Sequence, residues 1–205
     1  DLRATDARAL VHARQAVAET RHALEAQFAH AMAGSPPGAA GLRVTSGNFV
    51  VARPVGVIDG VDLQFTGEVR KVDHEGLRAQ LALSDVMVFS PLAHSPTGEL
   101  FSLNALDLAV TLATSLAASK LVLFTPNPEV EDERGNAVGQ LAAPALRAVI
   151  DGGRNKLPVH HAALRASEGG VRRVHLVNSA SDGALLTELF TRDGAGTLVT
   201  TAPYD

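Results

Sequence analysis

A glutamate and two glycines near the end of the sequence are the residues whose types and spacing best suit ligand chemistry. The segment at 182–197 reads DGALLTELFTRDGAGT. Its apolar residues predict a short helix whose inner face carries Leu185, Leu186 and Leu189. Gly194 and Gly196 follow, and glycine permits positive φ angles and close approach of a ligand to the backbone. The Glu188 carboxylate could then meet a cation, although an ordinary helix end followed by a turn explains the same pattern.

Two other polar clusters are poor metal sites. The acidic loop of Glu129, Glu131, Asp132 and Glu133 lacks the spacing and the glycine of a calcium loop, so we expect a solvated surface loop. His160 and His161 are adjacent, and neighbours in a helix point about 100° apart, which disfavours shared chelation. The sequence has no phosphate-binding loop, nucleophile elbow or HExxH motif. We therefore expect no metal, no cofactor and no catalytic residue in this chain.

The composition bounds the class of protein. With 205 residues, of which 46% are hydrophobic, the chain can bury a core as one domain, or as one domain with a small subdomain. A net charge of -4, one tyrosine and no tryptophan argue against nucleic acid as a partner. The absence of cysteine excludes disulfides and thiolate chemistry and fits a cytoplasmic location. The longest apolar runs, at 86–89 and 121–124, are far too short to cross a membrane.

A long helix and then β-structure are predicted for the first third of the chain. Leu10, Val17, Leu24 and Phe28 recur at helical spacing after the plausible N-cap Asp6, which predicts a helix over 6–33 that ends at the Gly- and Pro-rich 34–38. Residues 42–73 alternate in polarity and carry turn signals. We expect an antiparallel β excursion there, with a hairpin turn at Asp59-Gly60.

The rest of the chain alternates short apolar strands with helices. Strands are predicted at 86–89, 121–124, 174–177 and 198–199, and a helix carries Leu108, Leu112 and Leu116. Such alternation favours βαβ units and a largely parallel sheet over 84–200. The segment at 98–107 opens a helix at the carboxyl edge of that sheet, where open α/β sheets bind ligands.

Four strings together resemble the kinase-like domain of bacterial N-acetylglutamate synthases. They are SGNFVVARPVGVIDGVD, TGEVRKVD, SPTGELFSLNALDLA and DGALLTELFTRDGAGT, and the resemblance covers essentially the whole chain. The related acetylglutamate kinases share the Arg-x-Thr-Asp opening at 3–6 and the E-[LI]-F-T-x-x-G-x-G-T ending. The resemblance implies an α/β sandwich of the amino-acid-kinase type, with a mostly parallel sheet and a β-hairpin excursion. We expect residues 1–205 to form one partial regulatory domain, truncated at its N-terminus.

Departures from the kinase pattern imply that phosphoryl transfer is lost. The kinases hold acetylglutamate with an N-x-N-A-D motif, and the aligned positions here are Ser102, Asn104 and Leu106. Leu106 cannot orient an ammonium group, and Val159 stands where the kinases carry the lysine of a Pro-Lys pair. Arg3 matches an arginine that grips the substrate carboxylate, or is merely an exposed arginine before a helix. The resemblance therefore implies a vestigial substrate site at Arg3, Ser102 and Asn104.

What the resemblance retains is an arginine pocket. In arginine-inhibited members of the family the terminal segment binds arginine, which carries over to Glu188, Gly194 and Gly196. L-arginine is thus the expected effector of a synthase that transfers acetyl from acetyl-CoA to glutamate. The acetyl-CoA loop of the catalytic domain matches no stretch of this chain, so we expect that domain to be absent. An active acetylglutamate kinase and a non-catalytic assembly module remain alternatives, and the family implies a homo-oligomer.

Overall fold

The structure, a computed structural model, describes residues 3–33, 41–191 and 194–202. An alanine-rich first helix, α1, spans Ala7–Ala33 and is 27 residues long. The Asp6 carboxylate accepts a hydrogen bond of 2.7 Å from the Ala9 N–H, which confirms the predicted N-cap. The predicted helix end at 34–38 lies outside the described residues.

The chain forms two compact units that divide after Leu108. The first unit holds α1 and the elements that follow it, up to a third helix, α3, which crosses the boundary. These elements are β1 (Val44–Ser46), β2 (Val50–Pro54), β3 (Val57–Ile58), β4 (Val61–Asp62), β5 (Thr66–Val72), α2 (His74–Leu83), β6 (Val86–Val88), β7 (Leu92–His94), β8 (Leu100–Leu103) and α3 (Ala105–Ser115).

The first unit is built around a small closed barrel. Strands β2, β5, β8 and β7 close on one another in that order, and β1 pairs with β6 in parallel. Asp59 and Gly60 have φ angles of 50° and 78° and join β3 to β4, which confirms the predicted hairpin turn. The antiparallel expectation for 42–73 is only partly correct. Although β2 and β5 pair antiparallel, β1 and β5 also take parallel partners from later in the chain.

The second unit carries the αβ core that contains the terminal segment. Its elements are β9 (Lys120–Thr125), β10 (Val130–Glu131), β11 (Ala137–Val138), β12 (Gln140–Ala142), α4 (Ala143–Asp151), α5 (Pro158–Glu168), β13 (Arg173–Asn178), α6 (Ala184–Phe190) and β14 (Gly196–Thr200). A four-stranded sheet has the order β12-β14-β13-β9. The β12–β14 and β13–β9 pairs are parallel and the β13–β14 pair is antiparallel, so the sheet is mostly parallel as predicted.

Strand β13 is the centre of this sheet. Val174, His175, Leu176 and Val177 are all buried in it. Such continuous burial is typical of a strand covered on both faces, and α5 and α6 both contact β13. The strand therefore provides a rigid base for the side chains that α6 directs at it.

Candidate functional site

The inner face of α6 carries a buried carboxylate. Ala184 and Glu188 lie four residues apart and therefore share one face of the helix. Ala184 is 4% exposed, and the side chain of Glu188 is 5% exposed. Glu188 is thus a buried acid rather than a surface charge, and burial of a charge is costly unless partners stabilise it.

This arrangement corrects the expected face of α6. The sequence predicted that Leu185, Leu186 and Leu189 lie inside, but Leu185 is 37% exposed and Leu186 is 64% exposed. Leu189 is only half-buried. The helix has seven residues, so it has only one strip of contact with the sheet, and the Ala184–Glu188 pair occupies it.

Among the described residues, two hydrogen bonds hold the Glu188 carboxylate. Its Oε1 lies 2.6 Å from Nδ1 of His175 on β13, and its Oε2 accepts a hydrogen bond of 2.8 Å from the Ala195 N–H. A carboxylate only accepts hydrogen bonds, which assigns the proton between Glu188 and His175 to Nδ1. The His175 side chain is 7% exposed, and its Nε2 has no hydrogen-bond partner within the described residues. One carboxylate thus connects β13, α6 and the turn that leads into β14.

The two glycines serve this turn in different ways. Gly194 has a φ of +67°, and a Cβ there would lie 2.6 Å from Oε2 of Glu188. Its N–H donates a hydrogen bond of 3.2 Å to the Thr191 hydroxyl. Gly196 is outside the positive-φ region and begins β14 opposite Val177, where a Cβ would collide with the backbone carbonyl of Leu176. Residues 192 and 193 of the same segment lie outside the described residues.

His175 is the site residue that sequence reasoning missed. The strand predicted at 174–177 includes it, but its role depends on Glu188, thirteen residues later. The available signal was a single polar residue in an otherwise apolar run, since a buried polar side chain requires a partner.

The residues of the predicted vestigial substrate site, Arg3, Ser102 and Asn104, all lie in the first unit. The hydroxyl of Thr66 donates a hydrogen bond of 2.6 Å to the backbone carbonyl of Arg3, and Thr66 is the register partner of Ser102 in the β5–β8 pair. The Asn104 side chain caps α3, because its Oδ1 accepts hydrogen bonds from the Leu106 and Asp107 N–H groups at 2.9 and 3.1 Å. Asn104 therefore has a structural role in this chain.

The acidic loop is organised by its own backbone. Strands β10 and β11 form a hairpin, and the Asp132 carboxylate accepts hydrogen bonds from the Asn136 and Arg134 N–H groups at 2.9 and 2.8 Å. These hydrogen bonds lower the pKa of Asp132, and the bond from the Asn136 N–H has the largest effect. Across the described ranges, no group of three or more metal-ligating side chains is placed to hold a metal ion.

His160 and His161 have different surroundings. His160 is buried and His161 is exposed on α5, so the two side chains do not face one site. Separately, none of the helices in the described residues is both long and apolar enough to span a membrane.

Comparison with known proteins identifies the family. The model of the Amino acid kinase family matches residues 2–178. The chain belongs to the amino acid kinase family. This amino acid kinase family member is also similar to an amino-acid acetyltransferase of Pseudomonas syringae pv. tomato, with 45% identity over 207 residues. A second amino-acid acetyltransferase, from Pseudomonas fluorescens, is 46% identical over 206 residues.

The matches cover the whole of this chain but only part of each relative. All of this family member is matched, but only 48% of each acetyltransferase, so the chain spans about half the length of the curated relatives it matches. Two structures of N-acetylglutamate synthase from Neisseria gonorrhoeae are similar to 98% of the chain. One, with coenzyme A and L-arginine, has a TM-score of 0.81 at 35% identity and is covered to 47%. The other, with coenzyme A and N-acetyl-glutamate, has a TM-score of 0.84 at 36% identity and is covered to 46%.

Proposed function

We propose that this chain is the arginine-sensing part of an N-acetylglutamate synthase, and that L-arginine binds at Glu188 beside Gly194 and Gly196. The observation that carries the proposal is the buried Glu188 carboxylate at a glycine turn. A structure similar to this chain over 98% of its length is described with L-arginine and coenzyme A, which supports arginine as the ligand.

The chemistry of the site suits a guanidinium group. Within the described residues each oxygen of Glu188 makes one hydrogen bond, which leaves a further lone pair on each for a planar, bidentate donor. His175 fixes the orientation of the carboxylate from the rigid strand β13. Gly194 has no side chain, which allows a ligand to approach the backbone at this residue.

The whole protein would then transfer acetyl from acetyl-CoA to L-glutamate. This chain supplies no catalytic residue to that reaction and holds no cofactor, and acetyl-CoA is the co-substrate of a catalytic domain outside it. We place the protein in the cytoplasm, with neither nucleic acid nor a membrane as its partner.

We also propose that the protein is a homo-oligomer that pairs through α1. None of the described residues of this 27-residue helix is buried. Val11 is 51% exposed, and Ala18, His22 and Ala29 continue the same exposed face at helical spacing. The small side chains of Ala18 and Ala29 on that face allow a second helix to approach closely.

An active acetylglutamate kinase is the second candidate, and two residues disfavour it. Leu106 is half-buried in the first turn of α3, and Val159 is 6% exposed in the first turn of α5. Neither can supply the charge that phosphoryl transfer requires.

The test is acetyl transfer by the intact protein in the presence of L-arginine or of citrulline. Citrulline has nearly the same shape as arginine but lacks the positive charge. We expect arginine to change the acetylation rate of glutamate and citrulline to leave it unchanged. An equal response to both compounds, or ATP-dependent phosphorylation of N-acetylglutamate, would contradict the proposal.

A further inference from the structure

A cleft on the first unit lies far from Glu188 in sequence and is unused by the proposed function. It has a volume of about 240 Å³ and lies between α1 and the segment that follows β6. Its walls are mainly apolar, with one guanidinium group among them. The lining residues are Ala16, Val17, Thr20, Arg21, Leu24, Val88, Phe89, Ser90 and Pro91.

Arg21 forms an ion pair with Glu25, but its Nε donates no hydrogen bond within the described residues. Its Nε is buried and has no hydrogen-bond partner within the described residues, although the side chain as a whole is 40% exposed. The Glu25 carboxylate lies 3.5 Å from Nε without a hydrogen bond, and Nη1 reaches the Ser46 hydroxyl only at 3.5 Å. A buried donor without a partner is destabilising, so an oxygen acceptor at Nε would stabilise the site.

We propose that this cleft binds a small carboxylate with an apolar body. The carboxylate pairs with the Arg21 guanidinium, because the two groups match in charge and can form two parallel hydrogen bonds. The apolar body lies against Val17, Leu24 and Phe89. Glu25 then turns toward solvent, where its charge is hydrated.

The size of the cleft limits the ligand. Sites for drug-sized molecules have volumes of roughly 300 to 1,000 Å³, so this cleft holds a smaller molecule, of the size of a short branched or aromatic acid. The charge of the preferred ligand also distinguishes the cleft from the Glu188 site, because Arg21 attracts an anion whereas Glu188 attracts a cation.

The cleft is likewise separate from the vestigial substrate site. Arg21 lies roughly four helical turns beyond the start of α1, whereas Arg3 precedes that helix. The proposed pairing face of α1, which carries Val11, is on the opposite side of the helix from Thr20. The cleft and an α1 pair are therefore compatible.

The test is a titration of the full chain with 3-phenylpropanoate and with its neutral amide, 3-phenylpropanamide. We expect saturable binding of the acid and at least tenfold weaker binding of the amide. Arg21→Met keeps the apolar stem and should weaken binding of the acid by about 10- to 150-fold, the loss of a charge-assisted hydrogen bond. Arg14→Met, an exposed arginine on the same helix outside the cleft, is the matched control and should bind as the parent does.

A second variant guards against indirect effects. Val17→Phe fills the cleft and should abolish binding while Arg21 is retained. The proposal is overturned if the acid does not bind, if acid and amide bind equally, or if Arg21→Met and Arg14→Met bind alike. It is also overturned if Val17→Phe changes the oligomeric state instead of ligand binding, because a second copy would then be the occupant.

Discussion

Glu188 has a structural role in the second unit, and the proposed function gives it a recognition role as well. Its oxygens accept hydrogen bonds from His175 and from the Ala195 N–H, and each oxygen has a second lone pair that no other described residue uses. An alanine at this position would leave the buried His175 Nδ1 and the half-buried Ala195 N–H without this acceptor, so a loss of arginine binding could then reflect damage to the turn. Glutamine avoids this problem. Its amide oxygen accepts from Ala195, and its amide NH₂ donates to the other tautomer of His175.

His160 makes the stability of the protein depend on pH. Its side chain is buried at 3% exposure, and neither ring nitrogen has a hydrogen-bond partner in the described part of the chain. Burial lowers the pKa of His160 below the ordinary value of 6.5; the backbone groups of Asn155 and Glu129 oppose this shift, and the charge of His161 adds to it.

The sign of the pH effect follows from the lowered pKa. Below pH 6.5 the unfolded chain takes up a proton at this histidine that the folded chain does not, so stability falls as the pH is lowered from 6.5 toward the folded pKa. We expect His160→Leu to remove this part of the pH dependence and the exposed control His161→Gln to retain most of it, because burial is the main cause of the shift. Urea unfolding between pH 5 and 8 provides the measurement, and parallel curves for His160→Leu and the parent would refute the assignment.

At the scale of elements, Gly196 decides how closely β14 can approach β13. A Cβ at this position would collide with the Leu176 carbonyl, and backbone on both strands cannot move aside cheaply. We expect Gly196→Ala to destabilise the fold by about 1 to 3 kcal/mol or more, as overpacking of a core does. Gly139 precedes β12 and has open space at its Cβ position, so Gly139→Ala should change stability by no more than about 0.5 kcal/mol. Denaturant unfolding of both variants tests this, and equal stabilities would contradict it.

At the start of α3, the Asn104 side chain acts as a helix cap, and this role predicts how its variants change stability. Asn104 accepts two backbone hydrogen bonds there, so Asn104→Ala should lower the free energy of unfolding by about 1 kcal/mol. Asn104→Asp keeps the acceptor, and its charge suits a helix N-terminus, so it should be as stable as the parent. Thermal or urea unfolding of the two variants is sufficient. A stable alanine variant would show that the cap is unimportant.

The local sequence pattern predicted some structural features correctly and others incorrectly. The Asp59-Gly60 turn and the Asp6 cap depend on neighbouring residues, and the sequence predicted both correctly. The inner face of α6 was wrong, because apolar residues favoured Leu185 and Leu186 whereas a long-range partner, His175, draws Glu188 inside. Parallel pairing of β1 with β6 also escaped prediction, since its partner lies about forty residues away. Contacts distant in sequence therefore account for the main differences.

At the scale of the whole molecule, the proposed function combines the loss of phosphoryl transfer with a site for arginine. The chain belongs to the amino acid kinase family, and the proposed loss of phosphoryl transfer rests on the uncharged side chains of Leu106 and Val159. It spans about half of the acetyltransferases it matches, which fits a regulatory part of a longer protein. Arginine binding is thus the property that most directly decides whether the chain is a sensor.

Isothermal titration of L-arginine into the intact protein and two variants tests this claim most directly. Glu188→Gln removes the charge but keeps the size of the side chain, and Asp182→Asn removes an exposed charge just before α6 as the matched control. We predict that Glu188→Gln weakens arginine binding by about 10- to 150-fold, equivalent to roughly 1.5 to 3 kcal/mol, and that Asp182→Asn binds as the parent does. Undiminished arginine affinity in a folded Glu188→Gln variant would contradict the assignment of this site.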